Sequence, residues 1–232
     1  MKKIIGFIVI VTLLISCNKS KNGNMVVKGT IDGLKKGTVY LQKIKDTVLV
    51  SVDSVQLNGE LTFLLQDDVE SPEIYFLTLD KQVGERISFF GEKGEILITS
   101  KLSKFSTSAK IKGSVNQGLL DEHNTMAQQF NGKKLDMVVE KFEAQKIKDT
   151  ALLSKIAKDE KSLIRRKYLY TTNFAVLNAA HEVAPYLALT ELYNANIKLL
   201  DTINNSLSQK VKTSKYGLEL DKFIKDIKKQ EK

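Results

Sequence analysis

The chain has 232 residues, 36 of them basic and 27 acidic, so its formal net charge at pH 7 is +9. Its single cysteine, Cys17, excludes an intramolecular disulfide, which needs two thiols, and zinc sites built from several cysteines. Basic residues in the second half alternate with acidic ones, which favours a solvated helix surface over a nucleic-acid-binding patch. We therefore expect no nucleic acid partner. Attraction to an anionic membrane surface is the alternative interpretation of this charge.

The first seventeen residues have the layout of a secretory signal. Two lysines precede the apolar residues 4–15, a run too short for a transmembrane helix of about 20 residues. Residues 14–17 (LISC) resemble the lipobox of bacterial lipoproteins, in which the signal is cut before the cysteine and the thiol carries a diacylglycerol. We expect cleavage between Ser16 and Cys17, and a membrane anchor on the lipidated Cys17. A signal anchor with an incidental cysteine is the alternative.

The signal analysis and the change in periodicity along the chain predict four segments. Residues 1–16 form the signal peptide, and 17–24 contain the lipidated cysteine and a polar, flexible tether. Residues 25–113 form a β-sandwich-like domain, and 114–232 form a helical region. Because the lipid occupies the only thiol, we expect no thiol catalysis and no disulfide in the mature chain.

Short β-like runs separated by turns dominate the first predicted domain. Asn58-Gly59 between two such runs is a strong hairpin signal, because both residues tolerate positive φ. Eight runs at this spacing favour an antiparallel sandwich or a barrel-like fold. The runs are MVVKGTI, TVYLQKI, TVLVSVDSVQL, ELTFLLQ, EIYFLTL, RISFF, EILITS and AKIKG.

Apolar residues recur with helical spacing after Ser114, which predicts a helical bundle or stalk. Pro185 is expected in the first turn of a helix, where its fixed φ is tolerated. Five helices are predicted, over residues 116–130, 135–147, 151–177, 185–207 and 216–230.

Few residues indicate catalysis, a cofactor or a metal. Asp121, Glu122 and His123 are adjacent on a predicted helix, so they point in different directions and are not expected to share a metal. His181 is expected in a surface loop between helices. Acidic residues 67–73 could bind calcium weakly but lack the order of a calcium-binding loop. We therefore predict no catalytic residues, no metal and no cofactor.

Aromatic residues in the first domain have two interpretations. Core packing is the simpler one, and an exposed groove that binds a peptide or glycan is the alternative. The residues concerned are Tyr40, Phe63, Tyr75, Phe76, Phe89 and Phe90.

Several motifs together resemble a known β-rich domain of unknown function. It occurs in envelope lipoproteins of gram-negative bacteria, commonly before a thioredoxin-like domain of the peroxide-reductase or thiol-disulfide-oxidoreductase kind. VVKGTIDGLKKGTVYLQ resembles its first hairpin, DSVQLNGELTF its second hairpin and IKGSVNQ its closing segment. NFAVLNAAHEVAPYLAL and TSKYGLELDKFI resemble the helical linker to the thioredoxin-like domain. The resemblance implies a β-rich fold followed by helices.

The chain departs from those relatives because it has no cysteine beyond Cys17 and ends at Lys232 without a thioredoxin-like domain. The sequence therefore predicts a non-enzymatic, lipid-anchored envelope protein that binds or docks a protein, peptide or glycan. A truncated or accessory component of a thiol-disulfide or peroxide-handling system is the alternative. The residues after Cys17 contain no acidic run, which favours the outer membrane, facing the periplasm.

Overall fold

The computed structural model describes residues 23–80 and 84–230. Ser16, Cys17 and the predicted signal lie outside the described residues. Within them the chain forms eight strands followed by six α-helices, which confirms the predicted fold class. The strands are β1 (Met25–Asp32), β2 (Lys36–Lys45), β3 (Val48–Asn58), β4 (Thr62–Asp67), β5 (Glu73–Leu79), β6 (Ile87–Gly91), β7 (Gly94–Lys101) and β8 (Lys110–Lys112).

The strands form two four-stranded sheets. The first sheet has the order β4-β1-β7-β8, and the second has the order β3-β2-β5-β6. Neighbouring strands are antiparallel except β1 and β7, which are parallel. Alternate side chains of both sheets form one buried core, as period-two patterning requires. This core includes Met25, Val27, Leu41, Phe63, Leu65, Leu77, Phe89, Ile96 and Ile98.

The hairpin predicted at Asn58-Gly59 is wrong. The turn is present, with Gly59 at φ +121°, but β3 pairs with β2 and β4 pairs with β1 in the other sheet. A side chain of β3 still contacts the backbone of β4, since the Asp53 carboxylate accepts a hydrogen bond from the Gln66 N–H at 2.8 Å. The Asn-Gly signal specifies a local chain reversal, whereas the sheet that each strand joins depends on distant partners.

The first hairpin implied by the resemblance is also wrong. The chain reverses at Gly33, whose φ is +88°, but β1 and β2 lie in different sheets. The hairpins within sheets are instead β2–β3, β5–β6 and β7–β8.

The helices are α1 (Val115–Lys146), α2 (Thr150–Leu177), α3 (Val183–Glu191), α4 (Ile197–Ser206), α5 (Gln209–Lys212) and α6 (Lys215–Gln230). Ser114 caps α1 by accepting a hydrogen bond from the Gln117 N–H at 3.0 Å, and Asp149 caps α2 through the Leu152 N–H at 2.9 Å. Pro185 is the third residue of α3, within its first turn as predicted.

Two of the predicted helix boundaries are wrong. α1 continues through residues 131–134, because a single glycine costs a helix only about 1 kcal/mol and no proline follows. The helix predicted over 185–207 is divided, since α3 ends at Glu191 and Asn196 caps a new helix, α4. Leu192, Leu200 and Ile203, from both sides of the division, lie in one buried cluster.

A third buried cluster connects the second sheet to the helices, and we call it the joint. It consists of Phe90, Phe174, Val183, Leu187 and Tyr216. The Phe90 ring packs edge-to-face on Tyr216, with centroids 6.2 Å apart. Its N–H donates to Gln117 Oε1 at 2.9 Å, which satisfies a backbone group on the edge strand β6.

Buried polar groups reinforce the joint. Asn116 Oδ1 accepts a hydrogen bond from the Val183 N–H at 2.8 Å. The Asn116 amide nitrogen donates to Glu92 at 2.7 Å and to Glu182 at 3.3 Å. One side chain at the start of α1 therefore connects α3 with the turn after β6.

Among the described residues, no helix is long and apolar enough to cross a membrane.

Candidate functional site

A cleft of about 780 Å³ lies where the second sheet meets α3 and α6. This volume falls within the roughly 300–1,000 Å³ typical of ligand sites. The end of β2, the connection from β4 to β5, and the outer face of β5 form one side. The other side is formed by Tyr186 from α3 and by Lys215, Tyr216 and Glu219 from α6.

Glu73 bridges two lysines at the floor of the cleft. Its buried carboxylate lies 2.5 Å from Lys215 Nζ and 3.4 Å from Lys43 Nζ. Lys215 Nζ also donates to the carbonyl of Ile44 at 3.0 Å. Because Lys43 and Glu73 belong to the sheet and Lys215 to α6, this bridge joins the two walls across about 140 residues of sequence.

The bridge extends to the first sheet through Asp67, the last residue of β4. Asp67 Oδ2 lies 2.7 Å from Lys43 Nζ and accepts a hydrogen bond from Tyr75 Oη at 2.7 Å. Burial alone would lower the pKa of Lys43, but the hydrogen bond to Asp67 and the charge of Glu73 outweigh it and raise that pKa. Burial and the neighbouring Asp67 raise the pKa of Tyr75. Lys43 therefore stays charged and Tyr75 stays protonated at neutral pH.

The start of α6 is attached to the sheet by further hydrogen bonds. The Ile74 N–H donates to Tyr216 Oη at 2.9 Å, and the Lys215 N–H donates to Ser71 Oγ at 3.2 Å. Burial raises the pKa of the Tyr216 phenol, so its oxygen remains a neutral acceptor. These contacts position the wall that carries Glu219.

The mouth of the cleft carries an excess of acidic groups. Asp46, Asp68, Glu70 and Glu219 are exposed, and Lys45 is the one exposed cation among the described lining residues. None of these four carboxylates has an ion pair within 4.0 Å in the described part of the chain. Partial burial and the charge of Glu73 raise the pKa of Glu219, although Lys215 opposes them. An incoming cation would relieve this repulsion.

The acidic residues considered for calcium do not converge. Asp67 contacts Lys43 and Tyr75, Asp68 accepts a hydrogen bond from the Asn24 N–H, and Glu73 lies between lysines. Over residues 23–80 and 84–230, no three His, Cys, Asp or Glu side chains are grouped so that they could hold a metal ion.

His123 lies away from the cleft, inside the helical hairpin formed by α1 and α2. It is buried, with Nε2 3.0 Å from Thr171 Oγ1 and its ring stacked on Tyr170 and edge-on to Phe174. Burial lowers the pKa of His123. His181 lies in the loop between α2 and α3, where it is half-buried.

Phe63, Tyr75 and Phe89 follow the core interpretation, because they belong to the buried core of the sandwich. Phe90 belongs to the joint instead, and Phe76 lines the cleft. Phe63, Tyr75, Phe76, Phe89 and Phe90 are buried, whereas Tyr40 is half-buried.

The Lys43–Glu73–Lys215 bridge was not predicted from the sequence. Its members are spread over 173 residues in no motif, and the one available signal was an acidic residue opening an otherwise apolar strand, EIYFLTL.

An eight-stranded sandwich followed by helices is the class of structure that these observations define. Residues 25–120 match the family model described as "Domain of unknown function (DUF4369)". The match covers the sandwich and the first turns of α1, and therefore includes Lys43 and Glu73 but not Lys215. No curated protein and no solved structure matches the chain significantly. The resemblance is thus confirmed for this domain, while its lipoprotein and thioredoxin-related parts stay predictions.

Proposed function

We propose that this protein is a lipid-anchored envelope protein with a non-catalytic docking role. In this proposal Cys17 carries the lipid and holds the chain on the outer membrane, facing the periplasm. The support for the anchor is the order of a lysine pair, an apolar run and the LISC motif in residues 1–17. The cleft between the second sheet and α6 binds a partner segment that carries a basic side chain.

The observation that carries the docking role is the division of charge within the cleft. The cations at its floor are neutralised by Glu73 and Asp67, whereas the carboxylates at its mouth have no ion-pair partner among the described residues. A lysine or arginine of a partner would be attracted to this mouth. Its aliphatic stem would lie against Ile44, which is 42% exposed, and against Tyr186.

Mass spectrometry of the protein extracted from membranes tests the anchor. The expected N-terminal residue is an acylated Cys17. A retained Met1 or an unmodified thiol would overturn this part of the proposal without affecting the cleft.

Photo-crosslinking in intact cells tests the docking role. A photoreactive amino acid replaces Ile44 at the cleft or, as the control, Leu61, which is 78% exposed in the turn between β3 and β4. We expect a discrete protein or peptide adduct from position 44 that is absent from position 61. Combining Glu70→Lys with Glu219→Lys should reduce the yield. Equal adducts at both positions, or none at position 44, would contradict docking.

A component of an envelope thiol-disulfide or peroxide-handling system is the second candidate. The match of residues 25–120, together with the resemblance to domains that precede thioredoxin-like domains, favours it. The same crosslinking experiment separates the two proposals. An adduct that contains a thioredoxin-like chain would favour the second candidate, and deletion of the gene should then alter the redox state of envelope thiols.

A further inference from the structure

A second concave surface lies on the helical region, between the outer face of α2 and the start of α4. Its volume is about 470 Å³, and none of its described lining residues belongs to the cleft at α6. The lining alternates apolar and basic side chains along α2 and is completed by α4. It consists of Lys161, Ile164, Arg165, Tyr168, Leu169, Asn196, Lys198 and Leu199. We call this surface the basic groove.

The floor of the basic groove is apolar and open to solvent. Ile164 is 43% exposed and Leu169 is 41% exposed, while Tyr168 and Leu199 are half-buried beside them. These side chains come from one face of α2 and the facing turn of α4, so they form one continuous surface. Adjoining exposed apolar side chains of this kind are typical of a binding surface.

Three cations surround this floor. In the described part of the chain, the side chains of Lys161, Arg165 and Lys198 form no ion pair or hydrogen bond. Lys167, on the same helix, shows the contrast, because its Nζ lies 2.8 Å from Glu191. The described lining residues of the basic groove include no carboxylate, so their formal charge is +3. An anion would therefore be attracted to this site.

We propose that the basic groove binds a free long-chain carboxylate, a fatty-acid-like amphiphile. The alkyl chain lies on Ile164, Tyr168, Leu169 and Leu199, and the carboxylate lies among the three cations. The volume is in the range of small-molecule sites, which favours a single alkyl chain over a docked helix. Arg165 supplies a planar donor that suits a carboxylate, and the two lysines add charge on both sides.

Photolabelling of the full chain in isolated membranes tests this assignment. The probe is a long-chain carboxylic acid with a diazirine in its alkyl chain and a terminal alkyne for detection. We expect the label on peptides of α2 and α4. The Lys161→Glu, Arg165→Glu, Lys198→Glu triple variant should lose about tenfold or more of it, as expected for removing charge-assisted contacts. Ile164→Gln should also reduce labelling, because it interrupts the apolar floor.

Two controls separate recognition from partitioning into the membrane. The Lys133→Glu, Lys155→Glu, Lys158→Glu variant makes the same change in charge on the same hairpin, outside the groove, and should label like the unmodified chain. A diazirine alcohol of equal chain length should not label the groove. Equal labelling of the two triple variants, or by acid and alcohol, would overturn the proposal.

A second crosslinking experiment, with the photoreactive group on the protein, detects other occupants. A photoreactive amino acid at Leu169 that traps a protein or a membrane phospholipid, rather than the added carboxylate, would also overturn the proposal. This result is independent of the cleft, because the adduct expected from position 44 does not involve α2 or α4. A negative result at the basic groove therefore does not contradict the docking role proposed for the cleft, which is tested separately.

Discussion

The joint and the outer end of the helical hairpin differ sharply in how they are packed. At the joint, Phe90 is fully buried and lies within 6.2 Å of two tyrosine rings, measured between centroids. At the outer end, large apolar side chains face solvent, including Leu135, Val138, Val139, Phe142 and Ile147. The helices are therefore well packed at the joint and in the buried cluster that they form with one another, whereas the outer end of the hairpin is not.

Few contacts hold the outer end together. Ala144 and Ile156 are buried between α1 and α2, and Lys141 Nζ lies 3.3 Å from Glu160. A partly exposed ion pair of this kind contributes at most about 1 kcal/mol. Hydrophobic residues with helical spacing therefore do not by themselves indicate a buried face. The same Phe→Ala substitution should therefore cost much more stability at the joint than at the outer end.

The largest effect is expected at the joint. Phe90→Ala should lower the free energy of unfolding by about 3–5 kcal/mol, because it leaves a cavity between β6 and α3. Urea denaturation of the purified chain measures the loss. A loss below about 1 kcal/mol would show that the helices do not depend on this ring for their packing.

A smaller, pH-dependent effect is expected at His123, near the base of the hairpin. Burial holds the pKa of His123 below its usual 6.5, an effect that Lys167 strengthens and Glu191 weakens. The unfolded chain therefore binds this proton at a higher pH than the folded chain. The contribution of neutral His123 to the free energy of unfolding should be complete above about pH 6.5. It should decrease as the pH falls toward the lower folded-state pKa, by no more than about 1.4 kcal/mol per pH unit.

Urea denaturation at pH 7.5, 6.5 and 5.5 tests the effect, because His123→Gln should remove it while the other titrating groups stay the same. His181→Gln is the matched control, since His181 lies in a loop and is half-buried. A pH dependence that is unchanged by His123→Gln would contradict the assignment.

The smallest effect is expected at the outer end. Phe142 is 58% exposed, with Lys146 Nζ 4.6 Å from its ring centroid, so Phe142→Ala removes little buried surface. The free energy of unfolding should change by about 0.5 kcal/mol or less. A loss comparable with that of Phe90→Ala would indicate that this face is covered in solution, and sedimentation analysis would then show whether a second copy covers it.

Local patterns predicted much of the fold. The eight β-like runs correspond to the eight strands, and the change at Ser114 corresponds to the capped start of α1. The errors occurred where a local signal allowed two outcomes. Asn58-Gly59 specifies a reversal that can connect strands within a sheet or between sheets, and Gly132 can end a helix or be tolerated inside one. Long-range packing selects between these outcomes.

Short sequence patterns did not predict the two candidate sites. Glu73 and Lys215 are separated by 142 positions, and no short motif relates them. The basic groove has a weaker local signal, because Lys161, Ile164, Arg165 and Leu169 recur on one face of a single helix. That pattern is also typical of an ordinary amphipathic surface, so it did not identify a site.

The sequence by itself determined that strands precede helices and where the change occurs, because hydrophobic periodicity and turn residues act over a few positions. It also determined that one cysteine is present and that it follows an apolar run. Only the tertiary structure decided which strands share a sheet, where the helices contact it and which charges meet at Glu73. The physical reason is that these features depend on the burial of surfaces contributed by distant segments, and no local pattern encodes which distant surface becomes the partner.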